Sequence, residues 1–340
     1  MKVLVTGSAG FIGGYLVEEL LKKGYEVVGV DNHSKYGPIT KSYDSHSRYK
    51  LIIGDARDVD LMSAAMMDCD HVIAGAALIG GITYFHAYAY DLLATNERIM
   101  ASTCDAAIRA HRQGKLKKVT YLSSSMVFES TDHWPSVEGD ERKIAPPLSS
   151  YGFQKLAVEY FAKAAWDQYQ LPYTIVRPFN CVGVGEMRAL GEVEVLSGNV
   201  QLAMSHVVPD LVQKILKGQD PLHILGGGEQ VRHYTYGGDL ARGVVLAMES
   251  EASYNEDFNL STAQGTTVLE LAEAIWRKLK GPDVPFRYTS DPGYEYDVQK
   301  RVPSVQKSKD VLGFEALTTL DELLDEVIPW IEMAVAEGLI

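Results

Sequence analysis

Cysteine is scarce in this 340-residue chain: Cys69, Cys104 and Cys181 are the whole supply, an odd number with no CxxC or Cys/His ligand spacing. That excludes a disulfide framework, leaves buried reduced thiols as the reading, and gives no reason to expect a metal. Long apolar runs are missing too. None reaches the ~18 residues needed to span a bilayer, and the opening MKVLVTG reads as a strand without the basic segment and cleavage site of a signal peptide. A soluble, cytoplasmic protein with no membrane partner is expected. Positive charge is in deficit, 32 Lys and Arg against 45 Asp and Glu, for a formal net charge of −13. A general nucleic-acid binder normally carries a basic footprint, so no nucleic-acid partner is expected. Net charge does not speak for one cleft, which leaves room for a local basic pocket that takes a phosphorylated ligand. Internal repeats, low-complexity tracts and obvious linkers are absent as well.

What the chain does have is hydrophobic mass, 46% of its residues, ample for a well-buried core. Its first half alternates short β-branched runs with helical patterns. Strands are predicted at 2–6, 26–31, 50–53, 71–74, 118–123 and 173–177, and helices at 13–23, 91–111 and 151–169. Such alternation predicts an α/β fold, a Rossmann-type doubly wound parallel sheet covered on both faces. After Pro178 glycine and proline become frequent, helices shorten, and strands such as 222–225 lose their regular spacing. The expected organisation is a first domain over 1–180 and a smaller, irregular α/β C-terminal lobe over 181–340, with later segments returning to the first.

Between the first strand and helix stands Thr6-Gly7-Ser8-Ala9-Gly10-Phe11-Ile12-Gly13, a GxxGxxG pattern. Gly7, Gly10 and Gly13 allow a tight turn and close approach of backbone to a pyrophosphate. With Phe11 and Ile12 they open a helix whose free N–H groups and positive dipole end suit phosphates. A glycine triplet alone is weak; the strand–turn–helix context gives it weight. The second strand ends at Asp31, eighteen residues after Gly13. A carboxylate there accepts both ribose hydroxyls of adenosine and repels a 2′-phosphate. Asn32 and Ser34 follow it and are placed with it at the cofactor, and no arginine stands among Asn32, His33 and Ser34. NAD(H) is expected over NADP(H), with nearby Lys35 as the counter-indication. The plain alternatives are a simple turn for the glycines and a loop cap for Asp31. On this reading 1–180 binds the dinucleotide and 181–340 the substrate.

Tyr151-Gly-Phe-Gln-Lys155 is a YxxxK element at the start of a predicted helix, and i, i+4 spacing stacks its two ends on one face. An ammonium beside a phenol favours phenolate, so Tyr151 can exchange a proton with a hydroxyl while Lys155 also holds the nicotinamide ribose. Alone, the pattern is common on solvated helices. Here the strand before it runs into Ser123-Ser124-Ser125-Met126, and Ser124, 27 residues ahead of Tyr151, offers a hydroxyl to the reacting oxygen. Ser124, Tyr151 and Lys155 are the expected catalytic residues.

In this order the motifs resemble an extended short-chain dehydrogenase/reductase of the NAD-dependent epimerase/dehydratase family, from Lys2 to about Phe314. The resemblance implies NAD as cofactor, a nucleotide sugar as substrate, and a homodimer with helices 91–111 and 151–169 packing on their copies. The alternative is that one chain covers those faces itself. By the same resemblance Asp55, with Ala56 beside it, contacts adenine; Ala76 and Leu78 line the dinucleotide; Asn96 supports it; and Phe179 sits by the nicotinamide. Asn180 and Arg232 match positions that hold the nucleotide diphosphate, a role the planar guanidinium suits. His206 and Val207 match a nucleotide-contact segment and Arg301 a late phosphate contact. For His206 and Arg301 an ordinary surface position is the alternative.

The resemblance also narrows the reaction. Family 4,6-dehydratases carry Asp and Glu at the two positions after the serine, decarboxylases usually a Glu at the second, and 3,5-epimerases a cysteine there. This chain has Ser125 and Met126, expected only to touch substrate. What remains is chemistry that needs only Ser/Tyr/Lys and NAD, and the simplest such reaction is epimerisation at C4 through a transient 4-keto sugar. Against it, Ala77-Leu78-Ile79-Gly80-Gly81-Ile82 resembles the loop of GDP-mannose 3,5-epimerases and GDP-fucose synthases, with Gly80 at the sugar. A ketoreductase or 3,5-epimerase-like enzyme is thus the second reading, with His86, His206 or His233 as the missing acid. A decarboxylase or dehydratase ranks behind these, and a protein that binds the dinucleotide without turnover ranks last; such proteins typically lose the tyrosine or lysine that this chain keeps.

Overall fold

The structure, a computed structural model, describes residues 1–79, 88–187, 192–195, 198–201, 206–293 and 298–340. Seven strands form its main sheet: β1 (Lys2–Thr6), β2 (Glu26–Asp31), β3 (Tyr49–Ile53), β4 (His71–Ala74), β5 (Lys118–Leu122), β6 (Tyr173–Pro178) and β7 (Glu256–Leu260). They lie all parallel in the order β7-β6-β5-β4-β1-β2-β3. The apolar runs of β1, β4 and β5 are buried on both faces, as a sheet with helices on each side requires. Strand order reverses between β1 and β4, and a crevice at the carboxyl ends of those strands is where such sheets take ligands.

Helices α1 (Phe11–Lys22), α2 (Val59–Met66), α3 (Ala89–Arg112) and α4 (Ser150–Tyr169) come from the first half of the chain. α2, α3 and α4 cover one face, where Met62, Ala106 and Ala162 pack on β-strand residues such as Leu4 and Val119. α1 covers the other together with α6 (Gly237–Glu249), through Leu16, Leu20 and Val244. So α6 and β7, which follow residue 181, belong to the sheet layer. α5 (Val207–Leu216), α7 (Val268–Lys280) and α9 (Leu320–Ala336) build a second core around Ile215, Trp276 and Ile331. Between them α8 (Gln306–Leu312) packs beside β7. Among the described residues no helix is long and apolar enough to cross a membrane.

The seam between the lobes is tight. Residues Cys181–Val182 pair in parallel with Thr235–Tyr236, and Tyr15 on α1 accepts the Val184 N–H at 2.8 Å. A Cβ at either Gly183 or Gly237 would stand 2.5 Å from Tyr15, so glycine is required for this contact.

Candidate active site

A cavity of about 890 Å³ runs from the glycine turn to the second lobe. Gly7, Phe11, Ile12 and Gly13 form one end of it, and Ser124, Ser125, Met126, Tyr151 and Lys155 its floor. Asn180, His206, Val207, Arg232 and Arg301 line the far wall.

The turn is shaped for close approach. Gly7 adopts φ +75°, and a Cβ at Gly13 would stand 2.0 Å from the Gly7 carbonyl oxygen. Glycine alone fits, and the first N–H groups of α1 stay uncovered for an anion. Gly10 closes the turn by donating to the Gly7 carbonyl at 3.1 Å. Asp31 accepts the Ala9 N–H at 3.0 Å and the His33 N–H at 2.8 Å, tying the turn to the loop that carries Asn32 and Ser34. Asn32 reaches Asp55 at 3.4 Å, and Asp55 is clamped by Arg57 at 2.7 Å. Burial alone would raise the Asp55 carboxyl; the Arg57 hydrogen bonds outweigh it and hold the group below its ordinary value. Ala56 beside it is buried in the core. Across the switch point the Thr6 hydroxyl accepts from the Gly75 and Ala76 N–H groups, each at 3.0 Å. Asn96 accepts the Leu78 N–H at 2.7 Å and donates to its carbonyl at 3.0 Å, fixing that loop. Gly80, Gly81 and His86 lie outside the described residues.

Two caps position the catalytic candidates. Ser124 caps the short helical turn Ser125–Phe128, accepting the Met126 N–H at 3.2 Å, and hydrogen-bonds the Tyr151 phenol. Ser149 caps α4 by accepting the Gly152 N–H at 3.0 Å, and donates its hydroxyl to Glu129 at 2.9 Å. With the first turn of α4 so held, the Lys155 ammonium lies 5.9 Å from the centre of the Tyr151 ring and donates to the Leu122 carbonyl at 3.0 Å. Burial pushes Lys155 down to about 8. Burial raises the Tyr151 phenol above its ordinary value, while the Ser124 hydrogen bond and the Arg301 charge act to lower it.

Phe179 is placed differently from the sequence expectation. Its ring stacks on Phe128 with centroids 6.4 Å apart and is 1% exposed, so its side chain backs the wall instead of lining it. Asn180 takes φ +39° and its Nδ2 is buried with no protein partner, a donor available to a ligand. The Arg232 guanidinium donates to the Val231 carbonyl at 3.0 Å, and the Arg301 charge acts on Tyr151, Tyr234 and His206. His233 lies off the cavity wall, its Nδ1 2.9 Å from the Thr262 carbonyl. Lys35, set against NAD(H) in the sequence, sends its charge as far as His206. Among the cavity residues that escape sequence reasoning are Glu129, legible only as a partner of the α4 cap, and Glu186, a lone acid after Gly183-Val184-Gly185. Among the described residues no cluster of three or more His, Cys, Asp or Glu is arranged to hold a metal.

A family model described as the NAD dependent epimerase/dehydratase family matches residues 3–261. The chain belongs to this family. It is accordingly an enzyme that uses NAD, and the glycine turn with Asp31 at its side fits that dinucleotide. The chain is 26% identical to the UDP-glucose 4-epimerase of Lactobacillus helveticus, over 96% of this chain and 95% of that protein. It is 28% identical to a UDP-N-acetyl-alpha-D-glucosaminuronate decarboxylase of Bacillus cytotoxicus, over 97% of each. Among solved structures, the UDP-glucuronic acid 4-epimerase of Bacillus cereus, in complex with UDP-glucuronic acid and NAD, superposes with a TM-score of 0.82 at 25% identity, covering 98% of this chain and 99% of that one.

Proposed function

We propose that this enzyme inverts C4 of the sugar in a nucleoside diphosphate sugar, through a transient 4-keto sugar, and that UDP is the nucleotide to test first. One observation carries the reading. Ser124, Tyr151 and Lys155 share a cavity with the glycine turn, while the positions that bear acid and base in dehydratases hold Ser125 and Met126. The 4-epimerases among its relatives support the same choice. NAD, when bound, would supply the acceptor and then the donor of the C4 hydride. Tyr151 takes the proton of the C4 hydroxyl and later gives it back, Ser124 holds that oxygen, and the Lys155 charge favours the phenolate in a buried, low-dielectric place. Asn180, Arg232 and Arg301 serve the diphosphate with donors.

The test is a set of incubations with UDP-glucose, UDP-galactose, UDP-N-acetylglucosamine and UDP-glucuronic acid, with products separated and weighed. A new peak of unchanged mass, without net NADH, is expected. Loss of water or carbon dioxide would overturn the reading. Tyr151→Phe should lower kcat by at least ~100-fold while NAD stays bound. The finer reading includes a homodimer joined through α3 and α4; on α4, Phe153 and Tyr160, seven residues apart on one face, are 46% and 64% exposed. Light scattering should give twice the 37.5 kDa chain mass, and Tyr160→Arg should shift it toward one chain; a monomeric parent protein sinks the idea.

A further inference from the structure

Among the described residues three carboxylates line the cavity, and two of them are paired: Glu186 with His206, and Asp210 with Lys214 at 2.7 Å. The third, Glu129, is held by neutral donors instead. It follows the short turn Ser125–Phe128, and its Oε2 accepts both the Ser149 N–H at 3.0 Å and the Ser149 hydroxyl at 2.9 Å. Oε1 takes no hydrogen bond from the described residues. The carboxylate is pressed so close to the first turn of α4 that a Cβ at Gly152 would stand 2.8 Å from Oε2. Gly152 follows Tyr151 directly, so this acid is fixed at the end of the cavity where the sugar reacts. The cation of that end, Lys155, lies beside Tyr151 and donates to the Leu122 carbonyl at 3.0 Å. Arg232 and Arg301, on the far wall, are assigned above to the diphosphate.

We propose that Glu129 sets the sugar class: it makes this a cavity for neutral hexoses and turns away uronates. The inference rests on the reading that Tyr151 meets the C4 hydroxyl. C6 is two bonds from C4, so whatever stands at C6 shares the end of the cavity that Glu129 lines. A carboxylate only accepts hydrogen bonds, so the hydroxyl of a hydroxymethyl group can donate to Oε1. A uronate offers acceptors alone and brings a second negative charge into a place that screens it poorly.

Isothermal titration of the NAD-loaded protein with UDP-glucose, UDP-xylose and UDP-glucuronic acid tests this, because the pentose lacks C6 altogether. UDP-glucose should bind tightest and UDP-glucuronic acid weakest, at least ~10-fold apart. Glu129→Gln should tighten UDP-glucuronic acid about tenfold and leave UDP itself where it was. The parent series covers the case where the variant does not fold. UDP-glucuronic acid bound as tightly as UDP-xylose overturns the proposal, as does an unaltered uronate affinity in a folded Glu129→Gln protein. A protein that binds none of the three overturns both readings. C4 inversion of UDP-glucose is followed in parallel. The expected order of affinities without inversion overturns the function proposed above and leaves Glu129 standing; inversion with glucuronate bound as well as glucose does the reverse.

Discussion

Lys155 is where a single proton has the most leverage. Burial brings its pKa from 10.5 to about 8, so the charge that favours the Tyr151 phenolate is present below about 8 and lost as pH rises through it. The kcat profile should therefore fall on its alkaline side with an apparent pKa near 8. Lys155→Arg, slower overall, should lack that limb because guanidinium stays charged; a parent profile flat to pH 10 would contradict the assignment. The same shift has a stability sign. Between about 8 and 10.5 the unfolded chain binds more protons than the folded one, so this group adds stability as pH rises across that window. That Ser124, Tyr151, Lys155 and the glycine turn meet at one cavity could be read from the sequence, because their placement depends on local spacing along one strand–turn–helix or one helix face. The place of Glu186 could not. It meets a histidine twenty residues further along the chain, and no period marks such a meeting.

Among the elements, β5 shows how far a local pattern can be read. A strand at 118–123 is predicted and Lys118–Leu122 is found, ending one residue early where Ser123 turns its hydroxyl to Glu159 at 2.7 Å. Its first residue, although a lysine, is 0% exposed. Lys118 donates to the Ala247 carbonyl at 2.9 Å, the Ser250 carbonyl at 3.1 Å and the Ser253 hydroxyl at 2.7 Å. Those carbonyls close the C-terminal end of α6, where a cation is favoured by the helix dipole. Lys118→Met should cost on the order of 3 kcal/mol in urea unfolding, because the stranded acceptors stay buried. An unchanged unfolding midpoint would show that the contact holds nothing. Helix boundaries behave similarly: 13–23 is predicted and Phe11–Lys22 found, since Gly10 caps the helix before its apolar stripe begins.

At the scale of the whole molecule, Arg177 on β6 ties distant parts together. Fully buried, it meets Glu159 of α4 at 2.7 Å, Asp257 of β7 at 2.6 Å and Glu141 at 3.3 Å. Arg177→Met would leave three carboxylates without their shared cation, so a loss of roughly 3–5 kcal/mol in unfolding free energy is expected. Urea titration by far-UV circular dichroism checks it, and a loss below about 1 kcal/mol would refute it. Six strands of the sheet and their parallel pairing could be read from alternation in the sequence. The seventh, Glu256–Leu260, could not, because it mixes charged and apolar residues and its place beside β6 is set by topology rather than by any local repeat. That late strand also has a temporal side. On the ribosome β6 emerges ~80 residues ahead of β7, an interval of roughly 4–16 s at about 5–20 residues per second. During it the edge of β6 is unpaired and Arg177 waits for Asp257, while α1 waits for α6 to cover its face. The nascent enzyme thus spends seconds as a half-made sheet, and the pace of translation becomes a variable in whether it escapes aggregation.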